Sequence, residues 1–163
     1  MKGKTKKHPE VEQFITRSVI LLLIAAVVWI ALRYGKLPDE IPTHFDYRGN
    51  VDGYGSKNTV WIIYGFAFLL SAGMLAAARL MPMNRRMVNL PWRVPELAWP
   101  LLERLNVNML LWVALEMVPL VALPAIELSY GRGGAVPTMV LAAVLVGTCV
   151  YYTVKMYLVC RSV

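Results

Sequence analysis

Residues 59–78 read TVWIIYGFAFLLSAGMLAAA, twenty residues from Thr59 to Ala78 without one charge. A helix rises about 1.5 Å per residue, so such a run is about 30 Å long, the thickness of bilayer hydrocarbon. In lipid every backbone N–H and C=O needs an internal partner, and a helix supplies them all. Small residues recur four apart at Ala67/Ser71 and Gly73/Ala77. That spacing lets helix backbones approach closely in lipid. This stretch predicts a membrane-spanning helix.

Upstream, Ser18 to Leu32 reads SVILLLIAAVVWIAL, fifteen uncharged residues. A span needs about twenty, and Arg17 and Arg33 extend this one by snorkelling to the two interfaces. Pro9 suits a first helical turn, with Glu10 and Glu12 favourable at the positive helix end. The helix is expected to start near residue 9. No small-x-small cleavage site precedes the polar loop, so the segment reads as a retained anchor rather than a signal peptide.

Downstream, residues 107–126 read VNMLLWVALEMVPLVALPAI, and a fourth apolar run extends from Ala135 to Leu158. Pro119 and Pro124 each remove a helical hydrogen bond and predict a kink or an early end to the third span. Hydrophobic residues make up 58% of the 163, charged residues 17%, and mean hydropathy is +0.52. Soluble domains carry about 25% charge, so soluble, disordered and disulfide-rich classes are disfavoured. Cys149 and Cys160 lack a CxxC partner and read as packing or lipid-facing residues. The expected architecture is an all-α integral membrane protein of four transmembrane helices, one domain over residues 1–163.

Basic residues orient the spans. Of 17 Lys and Arg, twelve fall in the N-terminal tail, the 79–106 connection and the C-terminal end. The tail holds Lys2, Lys4, Lys6 and Lys7, and the connection holds Arg85, Arg86 and Arg93. Five, Arg132 among them, fall in the other two loops. The positive-inside bias places both termini and the 79–106 connection in the cytoplasm, with residues 34–58 outside. The net charge of +7 is therefore mostly a topology signal that needs no nucleic-acid partner, and it favours contact with anionic membrane lipids. Pro82, Pro91, Pro95 and Pro100 divide the connection into short pieces, of which Trp92, Leu97, Trp99 and Leu101 are apolar enough for the interface.

The outer loop, GKLPDEIPTHFDYRGNVDGYGSKN from Gly35 to Asn58, is long for a link between adjacent helices. Pro38 and Pro42 stiffen its start, and RGNVDGYG reads as two turns at a hairpin tip. His44, Asp46 and Asp52 can approach a common point. A histidine with carboxylates suits a divalent metal, and residues 44 and 46 share a side of an extended segment. The same residues also suit a hydrogen-bonded structural loop, with Asp46 or Asp52 pairing with Arg48 or Lys57. A surface recognising a ligand or partner is the third reading.

The run Leu37-Pro38-x-x-Ile41-Pro42-x-His44-Phe45, followed by Gly49, Asp52, Gly53 and Lys57, resembles the signature of the DUF1648 family. The resemblance covers about residues 20–75 as helix, loop and helix. Asp46 stands where the family often has asparagine. The family includes the N-terminal part of SdpI-type immunity proteins of bacteria. The resemblance implies several spans in the bacterial cytoplasmic membrane, with the signature loop outside. For the immunity proteins it implies protection against a secreted toxic peptide and capture of a repressor at the membrane.

Within the membrane, Glu116 stands out, because a carboxylate near mid-bilayer is costly unless protonated or paired. Asn108, Trp112 and Glu116 share one helix face at four-residue spacing. Tyr64, Ser71, Thr148, Tyr151 and Tyr152 are candidate hydroxyl partners. Glu127, in the third loop, is a candidate third ligand beside His44.

The chain lacks GxSxG and HExxH, so enzyme chemistry would rest on a metal at His44. Three functional readings remain. One is a membrane binding or sensory protein that recognises a peptide, lipid or protein partner through its outer loop. Another is a small transporter, oligomeric and coupled to ions or protons through Glu116. The third is the metal-dependent membrane enzyme.

Overall fold

The computed structural model describes residues 9–46, 48, 50–80, 90–130 and 135–162. Lys2, Lys4, Lys6, Lys7, Gly49, Pro82, Arg85, Arg86 and Arg132 lie outside the described residues. In chain order the elements are α1 (Pro9–Tyr34), β1 (Glu40–Phe45), β2 (Val51–Ser56), α2 (Thr59–Leu80), a 3-10 turn (Glu96–Ala98), α3 (Trp99–Ser129) and α4 (Ala135–Ser162).

All four helices are long and apolar enough to cross a membrane. They bear apolar side chains on nearly every side, with Leu21, Phe66, Leu69 and Val140 all more than half exposed. A helix apolar all round belongs in lipid, since in water such a surface would aggregate. The chain is a multi-pass membrane protein.

Contacts at the two ends give the helix directions. Thr16 of α1 meets Arg79 at the end of α2, and Trp92, just before α3, meets Tyr157 near the end of α4. At the opposite end, Trp29 and Arg33 of α1 meet Tyr130, just after α3. Successive helices therefore run up and down in turn. Helix α3 is the hub, packing on α1, α2 and α4. Three apolar clusters stack along it: Ile30, Val60, Tyr64 and Ala122 at the hairpin end; Ile15, Val19, Ala78, Leu111, Ala114 and Val118 in the middle; Leu102, Leu105, Met156 and Cys160 at the far end.

Three sequence expectations change. The all-α description omits an antiparallel two-stranded sheet, β1–β2, in the first loop. Its strands are six residues each and rich in glycine and proline, so hydropathy does not announce them. The third span does not end early at its prolines. Helix α3 runs 31 residues through Pro119 and Pro124. Neighbouring helices and local adjustment absorb the lost hydrogen bonds in membrane helices. Finally, the described part of the 79–106 connection packs under the bundle. Trp99 is buried, and Trp92 and Val94 pack on the far-end cluster, whereas Leu97 faces outward at 80% exposure.

Candidate functional site

The hairpin is built on its base. Helix α1 ends at Tyr34, and the amides of Lys36 and Leu37 donate to the carbonyls of Arg33 and Tyr34. Leu37 and Ile41 are thereby turned down into the cluster formed by Ile30, Val60, Tyr64 and Ala122. Burial of these two side chains stabilises the hairpin's seat by about 1.5–3 kcal/mol each. Lys57 closes the base, its amide donating to the Asp39 carbonyl at 3.0 Å and its Nζ to Asp39 Oδ1 at 2.8 Å. The Asp39 carboxyl is held below its ordinary value by the Lys57 hydrogen bond, and the Lys57 ammonium is raised by the same bond. The Tyr34 hydroxyl donates to Asn58 Oδ1, and its ring packs against Trp61 at 5.8 Å.

At the tip, Asp46 shapes the turn. Its Oδ1 accepts from the amides of Arg48 and Asn50, each at 2.8 Å, and its Oδ2 accepts from Asn50 Nδ2 at 3.0 Å. This is the self-bonding turn chemistry of aspartate and asparagine. Between tip and base the strands pair from Glu40↔Ser56 to Phe45↔Val51, with register irregularities on either side of His44. The irregularity crowds the strands: a Cβ on Gly53 would lie 3.0 Å from His44 Cβ, and one on Gly55 2.8 Å from Thr43 Cγ2. A Cβ at either position would force its neighbour to shift, and glycine avoids this. Along β2, Asp52, Tyr54 and Ser56 are exposed and alternate with half-buried Val51, Gly53 and Gly55.

The structure brings His44 and Asp52 together. The imidazole Nδ1–H donates to Asp52 Oδ1, with the side chains 73% and 46% exposed. It does not assemble His44, Asp46 and Asp52 into a metal centre. The Asp46 oxygens are engaged in the turn, and no group of three His, Cys, Asp or Glu among the described residues is placed to hold an ion, Glu127 included. Other described signature residues hold the hairpin together. Pro38 leads into β1, Pro42 pairs with Tyr54, Phe45 pairs with Val51, and Lys57 locks the base. Of the two basic partners the sequence offers Asp46 or Asp52, Arg48 meets Asp46 through its amide, whereas Lys57 pairs elsewhere. Its true partner, Asp39, is the next position outward from the Glu40↔Ser56 pair, so a hairpin register would have found it.

Within the bundle, Glu116 of α3 accepts a hydrogen bond from the Thr148 hydroxyl of α4 at 2.6 Å. The other carboxyl oxygen, Oε2, is buried without a hydrogen-bond partner. Thr148 also lines an open groove of about 460 Å³ with Trp112, Gly147, Tyr151 and Tyr152. Asn108 lies half-buried two turns from Glu116 on the same helix. Tyr64 and Ser71, the other two proposed hydroxyl partners on α2, are buried with their oxygens unpaired.

No curated protein and no solved structure matches the chain. Residues 20–68, which run from the second half of α1 through the hairpin into the first half of α2, match the family model of DUF1648, a domain of unknown function.

Proposed function

We propose that the protein is a recognition protein of the bacterial cytoplasmic membrane, with the β1–β2 hairpin as its outward capture surface for a peptide or protein partner. One observation carries this reading. The hairpin is anchored from below through Ile41, 1% exposed, while His44, Asp52 and Tyr54 stand in the open on a fixed frame. A loop that only joined two helices would not need a buried seat, a locked base and a crowded strand pair. The outer edge of β2, which has no further strand beside it among the described residues, adds backbone donors and acceptors for an extended peptide. The positive-inside bias supports an outward hairpin, since basic residues concentrate in the segments at the other end. Protection against a secreted toxic peptide is the most specific form of this reading.

The test replaces His44 and Asp52 by alanine in cells that depend on the protein for protection or partner capture. Loss of that phenotype, with normal membrane insertion, is the expected result. Full function in both variants would remove the hairpin face from the mechanism.

The half-paired Glu116 supports a second reading, ion or proton movement through an oligomer. Reconstituted protein would then carry a flux that E116Q alters. Flux no greater than that of empty liposomes ends this reading.

A further inference from the structure

Opposite the hairpin, a cavity of about 340 Å³ opens between the start of α1 and the end of α2, floored by α3. Its walls carry Glu12, Thr16 and Arg79, and its floor is Ala78, Val107 and Leu111. Thr16 is 6% exposed. Its hydroxyl donates to the Glu12 carbonyl at 2.8 Å and accepts from Arg79 Nη2 at 3.3 Å. A guanidinium presents five N–H donors in a planar fork. Here one of them makes a long contact. Glu12 and Arg79 face the same space, yet no ion pair joins them among the described residues.

Two opposite charges across one cavity would each repel a simple ion that the other attracts. They are complementary to a group that carries both signs. Position supplies the rest of the argument. Glu12 and Arg79 stand close to the ends of the apolar spans Glu10–Tyr34 and Thr59–Leu80, where a span meets lipid headgroups, above an apolar floor. Leu80, next to Arg79 in the chain, is 77% exposed, a surface suited to an acyl chain. We infer that this cavity binds a phosphoethanolamine headgroup. The phosphate lies against the Arg79 fork, which matches phosphate oxygens in pairs, and the primary ammonium donates to the Glu12 carboxylate. A choline headgroup has the same charges but no N–H to donate, and a glycerol headgroup has no cation. The site therefore ranks phosphatidylethanolamine above both.

The experiment is native mass spectrometry of the full-length protein released from nanodiscs containing equal amounts of phosphatidylethanolamine, phosphatidylglycerol and phosphatidylcholine. Retention of the ethanolamine lipid above the other two is expected. R79Q and E12Q should each lower that retention about tenfold, the weight of one charge-assisted hydrogen bond, and R79K should restore part of it. Circular dichroism in detergent verifies that each variant folds. Free phosphoethanolamine added at excess distinguishes the source: displacement of the lipid supports the headgroup alone as ligand, and persistence supports the intact lipid. Equal retention of all three lipids overturns the inference. So does a preference for phosphatidylglycerol that E12Q leaves unchanged, which would describe a simple anion site.

Discussion

Lys57 and Asp39 close the base of the hairpin with two hydrogen bonds, one between backbones at 3.0 Å and one between side chains at 2.8 Å. The exposed ion pair registers the strands where they leave the membrane helices. Its frame decides how firmly His44, Asp52 and Tyr54 are presented.

The pair sets a pH window. Asp39 titrates below its ordinary 3.8, so its contribution is complete above that value and is lost as pH falls through the lowered one. Lys57 titrates above its ordinary 10.5, so its contribution is complete below that value and is lost as pH rises through the raised one. Protection of the Lys57 amide from hydrogen exchange, relative to an unstructured amide at the same pH, should stay high across the interval between. In D39N the amide should exchange faster at neutral pH, with the acid dependence gone.

Ile41→Ala empties the seat under the hairpin. Large-to-small changes at buried isoleucines cost about 2–5 kcal/mol, the more so where a cavity persists. Detergent-based thermal unfolding should show the loss, and protease should cut residues 40–56 sooner than in the parent protein.

Gly53→Ala places a Cβ 3.0 Å from His44 Cβ, an atom that cannot move without its backbone. Overpacking of this kind costs about 1–3 kcal/mol. The same readouts apply, and NMR should show the His44–Asp52 contact displaced. Gly55→Ala should be milder, because Thr43 Cγ2 can rotate away.

Thr148→Val removes the hydroxyl that donates to Glu116 and leaves the carboxyl with neither oxygen paired. An unsatisfied buried polar group costs about 1–3 kcal/mol. Glu116→Gln keeps an acceptor for Thr148 and should be tolerated. Unfolding in mixed micelles should rank T148V below E116Q.

The four spans were readable because lipid imposes one simple demand, a long apolar run, and residues 59–78 meet it without exception. Both ends of α1 follow from Pro9, Arg33 and Tyr34. The hairpin was readable only as turns, since its strand residues, Gly53 and Gly55 among them, carry little hydropathic signal. Pro119 and Pro124 do not end α3 early, because a helix braced by three neighbours tolerates the lost hydrogen bonds.

Local sequence determined the spans, the turn chemistry of Asp46 and the motif by which residues 20–68 match the DUF1648 family model. Each depends on solvent or on near neighbours in the chain. Tertiary structure alone decided that Asp39 meets Lys57, that His44 meets Asp52 and not Asp46, that Thr148 meets Glu116, and that Glu12 and Arg79 share a cavity. Those pairings depend on strand register and helix packing, which arise from contacts between residues distant in sequence.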